Sequence, residues 1–236
     1  MIAAARKLQR NVDQLDFSGS IPWVYNPLNY AWDAHRQYLA RFVPKTCRVL
    51  FLGMNPGPWG MAQCGVPFGE VGLVKDWLRI DAAIGKPQTE HPKRPIEGLA
   101  CRRSEVSGKR LWGLLAQRFG TAESFAVDHF VANYCPLVFM EESARNVTPD
   151  KLPLALRQPL EAICDSHLAE VLRTLQPQWV IGIGGFAEKC AQRVTAAHKI
   201  NGVQVGRILH PSPASPAANK DWSGTVTGQL QQLGVW

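Results

Sequence analysis

A short apolar run that ends in a proline-bounded loop constrains the fold of this chain more than any other segment. Residues 48–70 read RVLFLGMNPGPWGMAQCGVPFGE, and the apolar residues at the start of this segment are interrupted only by Gly53. Such a run followed by Asn-Pro-Gly-Pro is typical of a buried parallel strand that leads into a rigid loop. Ligands bind at the carboxyl edge of open α/β sheets. Asn55, held between the strand end and two prolines, is therefore a candidate site residue.

A second predicted strand end carries the same pattern. The segment VGRILHPSPASPAANKDW places His210 directly after an apolar run, and prolines again follow. The carboxyl ends of parallel strands meet at one edge of a sheet, so two rigid loops of this kind are expected to border one cleft. We therefore expect Asn55 and His210 to face each other across a single site.

Strand-like and helix-like segments alternate along the chain. Strands are predicted at 48–54, 130–134, 179–183 and 203–209. Helices are predicted at 3–15, 74–83, 108–119, 156–175, 187–197 and 224–233, and one further helix is predicted to end near residue 42. Strands separated by helices imply a parallel sheet that is covered on both faces. The predicted fold class is α/β, a three-layer α/β/α sandwich with a central, mainly parallel four-stranded sheet. With 46% hydrophobic residues and no break in composition, residues 1–236 are expected to form a single domain.

The chain carries an excess of positive charge. It has 26 Lys and Arg residues against 19 Asp and Glu residues, which gives a formal net charge of +7. A basic surface suits a polyanionic partner, because neutralising phosphates with Lys and Arg releases counterions. An ordinary solvated surface explains the same charge equally well.

The cysteine pattern argues against a metal or redox centre. The six cysteines are scattered without a C-x-x-C pair: Cys47, Cys64, Cys101, Cys135, Cys164 and Cys190. Such spacing indicates neither a zinc site nor a redox dithiol. We predict that they are buried thiols of an intracellular protein and that the protein uses no metal and no cofactor.

Targeting signals are also lacking in the sequence. No segment approaches the roughly 20 apolar residues that cross a bilayer, and the first thirty residues have no apolar core of a secretory signal peptide. We expect no contact with a membrane. The expected location is intracellular, with a bacterial cytoplasm or nucleoid favoured over a nucleus.

Four motifs together resemble a known family. They are GMNPGPWGMAQCGVPFGEV, SEVSG at 104–108, NYCPL at 133–137 and HPSPASPAANKDW, and they occur in the family's order between about 48 and 222. In these residues the chain resembles the uracil-DNA glycosylase superfamily, in particular its single-strand-selective monofunctional branch. The resemblance implies excision of uracil from single- and double-stranded DNA by a monomer. It also implies base-excision repair as the cellular role.

The resemblance assigns catalytic roles to the two strand-end residues. Asn55 would position the water that attacks the sugar, since an amide orients water but does not take up its proton. His210 would donate a hydrogen bond to the base O2 as negative charge develops there, helped by backbone N–H groups around Met54. Without the surrounding motif, a histidine at a strand end is more often a structurally satisfied imidazole.

Four further residues are implied in base recognition. Asn133 would donate to uracil O4 and accept from N3–H, which cytosine cannot match. Phe68 would stack on the flipped base. Gly57 would leave room beside C5, which implies tolerance of 5-hydroxymethyluracil, and Met61 would help to shape the pocket. The alternatives are a turn residue for Asn133, a core residue for Phe68 and a positive φ for Gly57.

Contacts with the DNA backbone are expected from the second and fourth motifs. Hydroxyl, ammonium and helix N-terminal groups suit phosphate oxygens, and the candidates are Ser104, Ser107, Lys109, Arg110, Ser212 and Lys220. The segment after His210 departs from vertebrate members, which insert an arginine-bearing wedge into the base stack. Here that stretch reads Pro213, Ala214, Ser215 and Pro216, so any wedge would be a stiff apolar one.

Two alternatives from other classes remain open at the level of sequence. Residues 182–187 read GIGGFA, a G-x-G-x-x-A match typical of a dinucleotide-binding oxidoreductase. That fingerprint requires an acidic residue about 20 positions later, whereas 199–209 contains none. A non-catalytic single-strand-binding module would instead place aromatic residues along the strands of an all-β barrel.

Overall fold

A computed structural model describes all residues, 1–236. Its helices and strands follow one another as α1 (Ile2–Val12), β1 (Trp23–Tyr25), α2 (Pro27–Tyr30), α3 (Trp32–Phe42), β2 (Val49–Gly53), α4 (Met61–Cys64), α5 (Val71–Asp76), α6 (Val106–Phe119), α7 (Ala122–Phe125), β3 (His129–Asn133), β4 (Val138–Met140), β5 (Asn146–Val147), α8 (Leu154–Leu175), β6 (Trp179–Ile183), α9 (Gly185–Ala197), β7 (Gln204–Ile208) and α10 (Pro216–Gln232). Short 3-10 turns at Gly98–Ala100 and Pro149–Lys151 complete the regular structure.

The central sheet contains four parallel strands in the order β3-β2-β6-β7. Every residue of β2 is buried, as expected for an inner strand that is covered on both faces. Helix α9 packs on β6 and β7 with α8 beside it, whereas α6 contacts α5, α7 and α10. The three-layer α/β/α arrangement and the parallel four-stranded sheet are confirmed.

The layers share one large apolar core. A single cluster of 55 buried residues contains side chains from the sheet and from most of the helices. All six cysteines are buried and unpaired. No helix has both the length and the apolar character needed to cross a membrane.

A second, antiparallel sheet was not predicted. Strands β1, β4 and β5 pair in the order β1-β4-β5. Each strand is two or three residues long, so local alternation is too short to indicate it, and β1 pairs with β4 across more than 100 residues of sequence. Strand β4 directly follows Leu137 and thereby fixes the position of the Leu137 carbonyl.

Most predicted helix ends differ from the observed ones by up to three residues, and two helices, α5 and α10, differ by more. The helix expected at 74–83 is α5, which starts after the capping carboxylate of Glu70, 3.0 Å from the Leu73 N–H. It ends at Asp76, and Arg79 adopts a φ of 52° that no helix can continue through. The last helix starts at Pro216 rather than near 224, and Asp221 breaks its regular geometry with φ −152° and ψ 84°.

Candidate active site

The carboxyl ends of three parallel strands, β2, β3 and β7, border one cleft, and the end of β6 lies beside His210. Asn55 follows β2, Asn133 ends β3, Gly184 follows β6 and His210 follows β7. The cleft has a volume of about 280 Å³. It is lined by Met54, Asn55, Pro56, Gly57, Pro58, Gly60, Met61, Phe68, Glu105, Ser107, Asn133, Asn146, Thr148, His210, Ser212 and Pro213. The two strand-end loops singled out in the sequence therefore face the same space.

The side chain of Asn55 is held in one orientation. Its Nδ2 donates to the carbonyl oxygens of Leu137, at 3.0 Å, and Pro56, at 3.4 Å. Its Oδ1 accepts no hydrogen bond within the chain, so this oxygen is free to accept one from a water. The fixed amide can therefore orient a water but cannot remove its proton near neutral pH.

The tautomer of His210 follows from its surroundings. The Ser212 N–H donates to His210 Nδ1 at 3.1 Å, which leaves the ring proton on Nε2. Burial lowers the pKa of this imidazole below its usual value. A neutral ring with an Nε2–H donor therefore faces the cleft at neutral pH.

Backbone donors lie between the two strand-end side chains. The N–H groups of Met54 and Asn55 have no acceptor within the chain. Together with His210 Nε2–H they form a set of donors suited to an oxygen on which negative charge develops.

Asn133 offers unsatisfied hydrogen-bonding capacity. Its Oδ1 is buried without a partner, and its Nδ2 contacts only the Met61 sulfur at 3.5 Å. A buried polar oxygen without a partner costs free energy that a ligand donor can recover. This amide is therefore poised to bind a ligand that offers one donor and one acceptor side by side.

Phe68 is fixed by the elements around it. Its backbone adopts a φ of 54°, which is unusual for a residue other than glycine. Trp112 Nε1 donates to the Pro67 carbonyl at 3.0 Å, and Gly108 lies so close that a Cβ there would be 2.0 Å from the Phe68 oxygen. The ring lies 6.3 Å from the His210 ring, between centroids. The aromatic face is thereby held at the cleft wall.

Glu105 is a cleft residue that the sequence did not reveal. It caps α6 by accepting from the Ser107 N–H at 3.4 Å, and burial raises the pKa of its carboxyl. A Cβ on Gly57 would lie 2.9 Å from Glu105 Oε2. Gly57 does not adopt a positive φ, so its lack of a side chain serves the close approach of this carboxylate.

The residues expected to contact DNA fall into two groups. Ser107, Ser212 and Pro213 line the cleft, whereas Ser104, Lys109, Ala214 and Lys220 lie exposed on the surface. The Ser215 hydroxyl is used within the chain, because it caps α10 by accepting from the Ala218 N–H at 3.4 Å.

Arg110 holds the His210 loop rather than extending into solvent. It donates to the Pro211 carbonyl and to Asn219 Oδ1, each at 2.9 Å.

Three supporting residues had no clear signal in the sequence. Leu137 orients Asn55 through its carbonyl, which any residue type could supply. Gly184, at φ 90°, lies so close to His210 that a Cβ would be 3.2 Å from the histidine Cβ. Glu105 lies within the SEVSG motif, which was the one signal that could have found it. No group of three or more His, Cys, Asp or Glu side chains is arranged to hold a metal ion.

The glycines of the G-x-G-x-x-A segment serve packing at this site. A Cβ on Gly182 would be 2.4 Å from the Glu188 backbone nitrogen, so the strand and α9 approach closely there. Gly184 in turn gives room to His210. The dinucleotide fingerprint was therefore a misleading match, and the all-β alternative is excluded by the α/β fold.

Comparison with known families agrees with this geometry. The model of the uracil DNA glycosylase superfamily matches residues 40–227, which include the cleft. The chain therefore belongs to this superfamily.

Similar curated proteins narrow the assignment. A single-strand selective monofunctional uracil-DNA glycosylase of Rattus norvegicus is 47% identical over 97% of this chain and 82% of the relative. The corresponding protein of Bos taurus is 46% identical over 97% of this chain and 84% of the relative. Within the superfamily, the chain belongs to the single-strand selective monofunctional family.

A solved structure supports the fold. SMUG2 of Pedobacter heparinus aligns with a TM-score of 0.67 at 18% identity, covering 98% of this chain and 97% of that one. At this identity the likeness concerns the fold alone.

Proposed function

We propose that this protein hydrolyses the N-glycosidic bond of uracil in DNA and leaves an abasic site, as a monofunctional glycosylase in base-excision repair. The observation that carries the proposal is the meeting of three groups in one cleft. They are a free Asn55 Oδ1, a neutral His210 with its proton on Nε2, and an unpartnered Asn133 Oδ1. Each matches one requirement of the reaction.

The first requirement is stabilisation of the leaving base. As the bond to C1′ breaks, the electron pair moves to the base and negative charge develops on O2. His210 Nε2–H and the free N–H groups of Met54 and Asn55 donate to that oxygen. Preorganised donors of this kind each contribute about 10²–10³ in rate, so this side of the reaction lowers the barrier most.

The second requirement is capture of the electron-poor sugar carbon. Asn55 Oδ1 accepts a hydrogen bond from a water and directs its oxygen to C1′. The water loses its proton only after attack has begun, because the amide is not a base near neutral pH. Positioning, rather than proton removal, is the role of this residue.

The third requirement is recognition of the base outside the helix. Uracil presents an N3–H donor beside its O4 acceptor, which matches the Asn133 Oδ1 and Nδ2 pair. Cytosine presents an acceptor at N3 and a donor at N4, so it would leave the same groups unpaired. Phe68 stacks on the ring and recovers part of the cost of base flipping.

We further propose that the pocket accepts 5-hydroxymethyluracil. Gly57 has no side chain, and the Glu105 carboxylate lies next to it. A hydroxymethyl group on C5 could donate its O–H to that carboxylate. Met61 bounds the pocket beside Asn133 through its sulfur contact.

The wider proposal concerns how the protein meets DNA. Ser107, Ser212 and Pro213 lie at the cleft and suit the phosphates beside the flipped nucleotide, while Ser104, Lys109, Ala214, Ser215 and Lys220 extend the contact surface outward. We propose that residues 1–236 act as one domain and as a monomer, because one chain supplies all groups of the site. Catalysis needs no cofactor, and both single- and double-stranded DNA inside the cell are the substrates.

The test is release of uracil from a synthetic DNA strand. A 5′-labelled oligonucleotide with one uracil is incubated in buffer that contains EDTA, and half of each sample is then heated in alkali. We expect strand cleavage only after alkali, which reveals an abasic site. Loss of activity in EDTA, cleavage without alkali, or a borohydride-trapped covalent adduct would contradict the proposal.

A further inference from the structure

Two arginines are stacked on one tryptophan at the rim of the cleft. The guanidinium carbon of Arg103 lies 4.4 Å from the centre of the Trp59 ring, and that of Arg94 lies 5.0 Å from it. Both distances are within the range of a cation–π contact. Trp59 itself is half-buried, so the indole provides a fixed surface for both cations.

These two arginines lack acidic partners. Neither Arg94 nor Arg103 takes part in an ion pair, and Arg94 Nε is buried without an acceptor. The surrounding segment 93–110 contains six basic and two acidic residues. Two unpaired guanidiniums beside the same ring repel each other, and a bound anion relieves this repulsion.

A buried glutamine fixes the two loops that carry Trp59 and Arg94. Gln63 is fully buried, and its Nε2 donates to the carbonyls of Pro58, at 3.1 Å, and Pro95, at 3.0 Å. Its Oε1 accepts from backbone N–H groups at 97 and 98. The neighbours of Trp59 and Arg94 in the chain are thereby tied to one side chain, so the stack forms without a ligand.

The position of the stack relates it to the reaction. Pro58 and Gly60, on either side of Trp59, line the cleft, and so does Glu105, two residues after Arg103. The Trp59 ring is not part of the lining and therefore lies outside the space that holds the base. The stack therefore lies close enough to the cleft to meet the strand on one side of a flipped nucleotide.

We propose that Arg94 and Arg103 bind backbone phosphates of the DNA strand next to the flipped nucleotide, and that Trp59 is the positioning residue that holds both guanidiniums. The inference rests on the proposed function for the identity of the polyanion. Guanidinium groups bind phosphate oxygens with paired N–H donors, and stacking on the indole lowers the cost of ordering them.

The experiment measures DNA affinity after removal of the two arginines, of one phosphate charge, and of both. It thereby shows which phosphates the arginines contact. The double variant Arg94→Gln with Arg103→Gln is compared with wild type on single strands that carry 2′-fluoro-2′-deoxyuridine, which slows bond cleavage during the measurement. Each strand has one linkage near the uridine replaced by a neutral methylphosphonate. The matched control is the double variant Arg173→Gln with Lys199→Gln. Both side chains are exposed and lie together near the C-terminal end of α8.

We expect the Arg94/Arg103 double variant to bind the unmodified strand about tenfold or more weakly. The slope of log Kd against log salt should fall by about 0.7 for each phosphate contact removed. At one or two linkages beside the uridine, methylphosphonate should weaken wild type but not this variant, since coupled changes are not additive. The Arg173/Lys199 variant should keep wild-type affinity.

Trp59 is tested by substitutions that keep or remove the ring. Trp59→Phe should retain most of the affinity and should be weakened by methylphosphonate at the same linkages as wild type. Trp59→Leu should not be weakened at those linkages. Equal weakening by methylphosphonate in wild type and in the Arg94/Arg103 variant at every linkage would overturn the phosphate site. Preserved coupling in Trp59→Leu would overturn the positioning role of the ring.

The outcome separates this site from the reaction. Binding to the 2′-fluoro strand does not depend on turnover. If wild type releases uracil but methylphosphonate weakens wild type and the Arg94/Arg103 variant equally, the phosphate site alone is rejected. If methylphosphonate weakens only wild type but wild type releases no uracil, the proposed function alone is rejected.

Discussion

At the scale of single residues, Asn55 and His210 divide the work of bond cleavage. Replacing either by alanine removes one preorganised group, so the single-turnover rate of uracil excision should fall by about 10²-fold or more. DNA affinity should change only a few-fold, because neither side chain is a phosphate ligand. Rapid-quench excision assays give the single-turnover rate, and titration with a non-hydrolysed strand gives the DNA affinity. A correctly folded variant with a near wild-type rate would remove that residue from the mechanism.

Asn133 can be tested through the polarity of its hydrogen bonds. Asn133→Asp should lose uracil excision, because an ionised carboxylate cannot donate to O4. The same carboxylate can accept from the cytosine amino group, so weak cytosine excision is the expected gain. Single-turnover assays on matched uracil and cytosine strands measure both effects. Undiminished uracil excision would show that Asn133 does not read the base.

Gly57 tests the space beside C5. Gly57→Tyr should reduce excision of 5-hydroxymethyluracil more than excision of uracil, because a ring at this position excludes the hydroxymethyl arm and displaces the Glu105 carboxylate. A steric clash in a packed pocket costs more than one favourable contact contributes. The measurement is the ratio of single-turnover rates on otherwise identical strands.

Gly57→Ala provides the control for that comparison. Its Cβ meets the same carboxylate without filling the pocket, so a general loop distortion should slow both bases alike. Equal losses on the two bases in Gly57→Tyr would show that Gly57 serves only the close approach of Glu105.

At the scale of elements, α6 supports the aromatic wall of the site. A Cβ on Gly108 would be 2.0 Å from the Phe68 oxygen, whereas a Cβ on Gly113 of the same helix meets nothing within 4 Å. Gly108→Ala should therefore lower the free energy of unfolding by roughly 2 kcal/mol and slow excision. Gly113→Ala should stabilise the protein by up to about 1 kcal/mol and leave excision unchanged.

Denaturant unfolding and excision assays on the two alanine variants check this role of α6. The comparison is matched, because both changes add the same methyl group to the same helix. If Gly108→Ala were as stable and as active as Gly113→Ala, close packing of α6 would not position Phe68.

At the scale of the whole molecule, the buried His35 and the half-buried His167 link stability to pH. Burial lowers the pKa of His35 and of His167 to about 4, from a usual value near 6.5. Below pH 6.5 the unfolded chain binds protons that the folded chain does not, so stability falls as pH decreases. Each histidine should cost up to about 3 kcal/mol of unfolding free energy between pH 6.5 and pH 4.

The variant His167→Gln checks this pH dependence. Its Nδ1 has no partner in the folded protein, so replacing the ring removes a titrating group without breaking a hydrogen bond at that atom. Urea unfolding at pH 7.5 and at pH 5 should show a smaller loss on acidification than in wild type. An identical loss in both proteins would show that His167 is not a source of the acid sensitivity.

The sequence by itself determined the central sheet and the two ends of the cleft. Buried parallel strands are apolar throughout and end abruptly at Gly and Pro, so β2 and β7 and the positions of Asn55 and His210 were visible in local pattern. The motifs around them also determined the family, because residues that perform a reaction recur at fixed places in the chain.

Only the tertiary structure decided how those residues are oriented. The Leu137 carbonyl that fixes Asn55, the Glu105 carboxylate beside Gly57, and the stacking of two arginines on Trp59 join segments that lie far apart in sequence. Their partners are backbone atoms or long side chains, whose contacts have no local periodicity. Sequence pattern records which face of an element is buried, whereas the direction of a hydrogen bond depends on the packing of the whole chain.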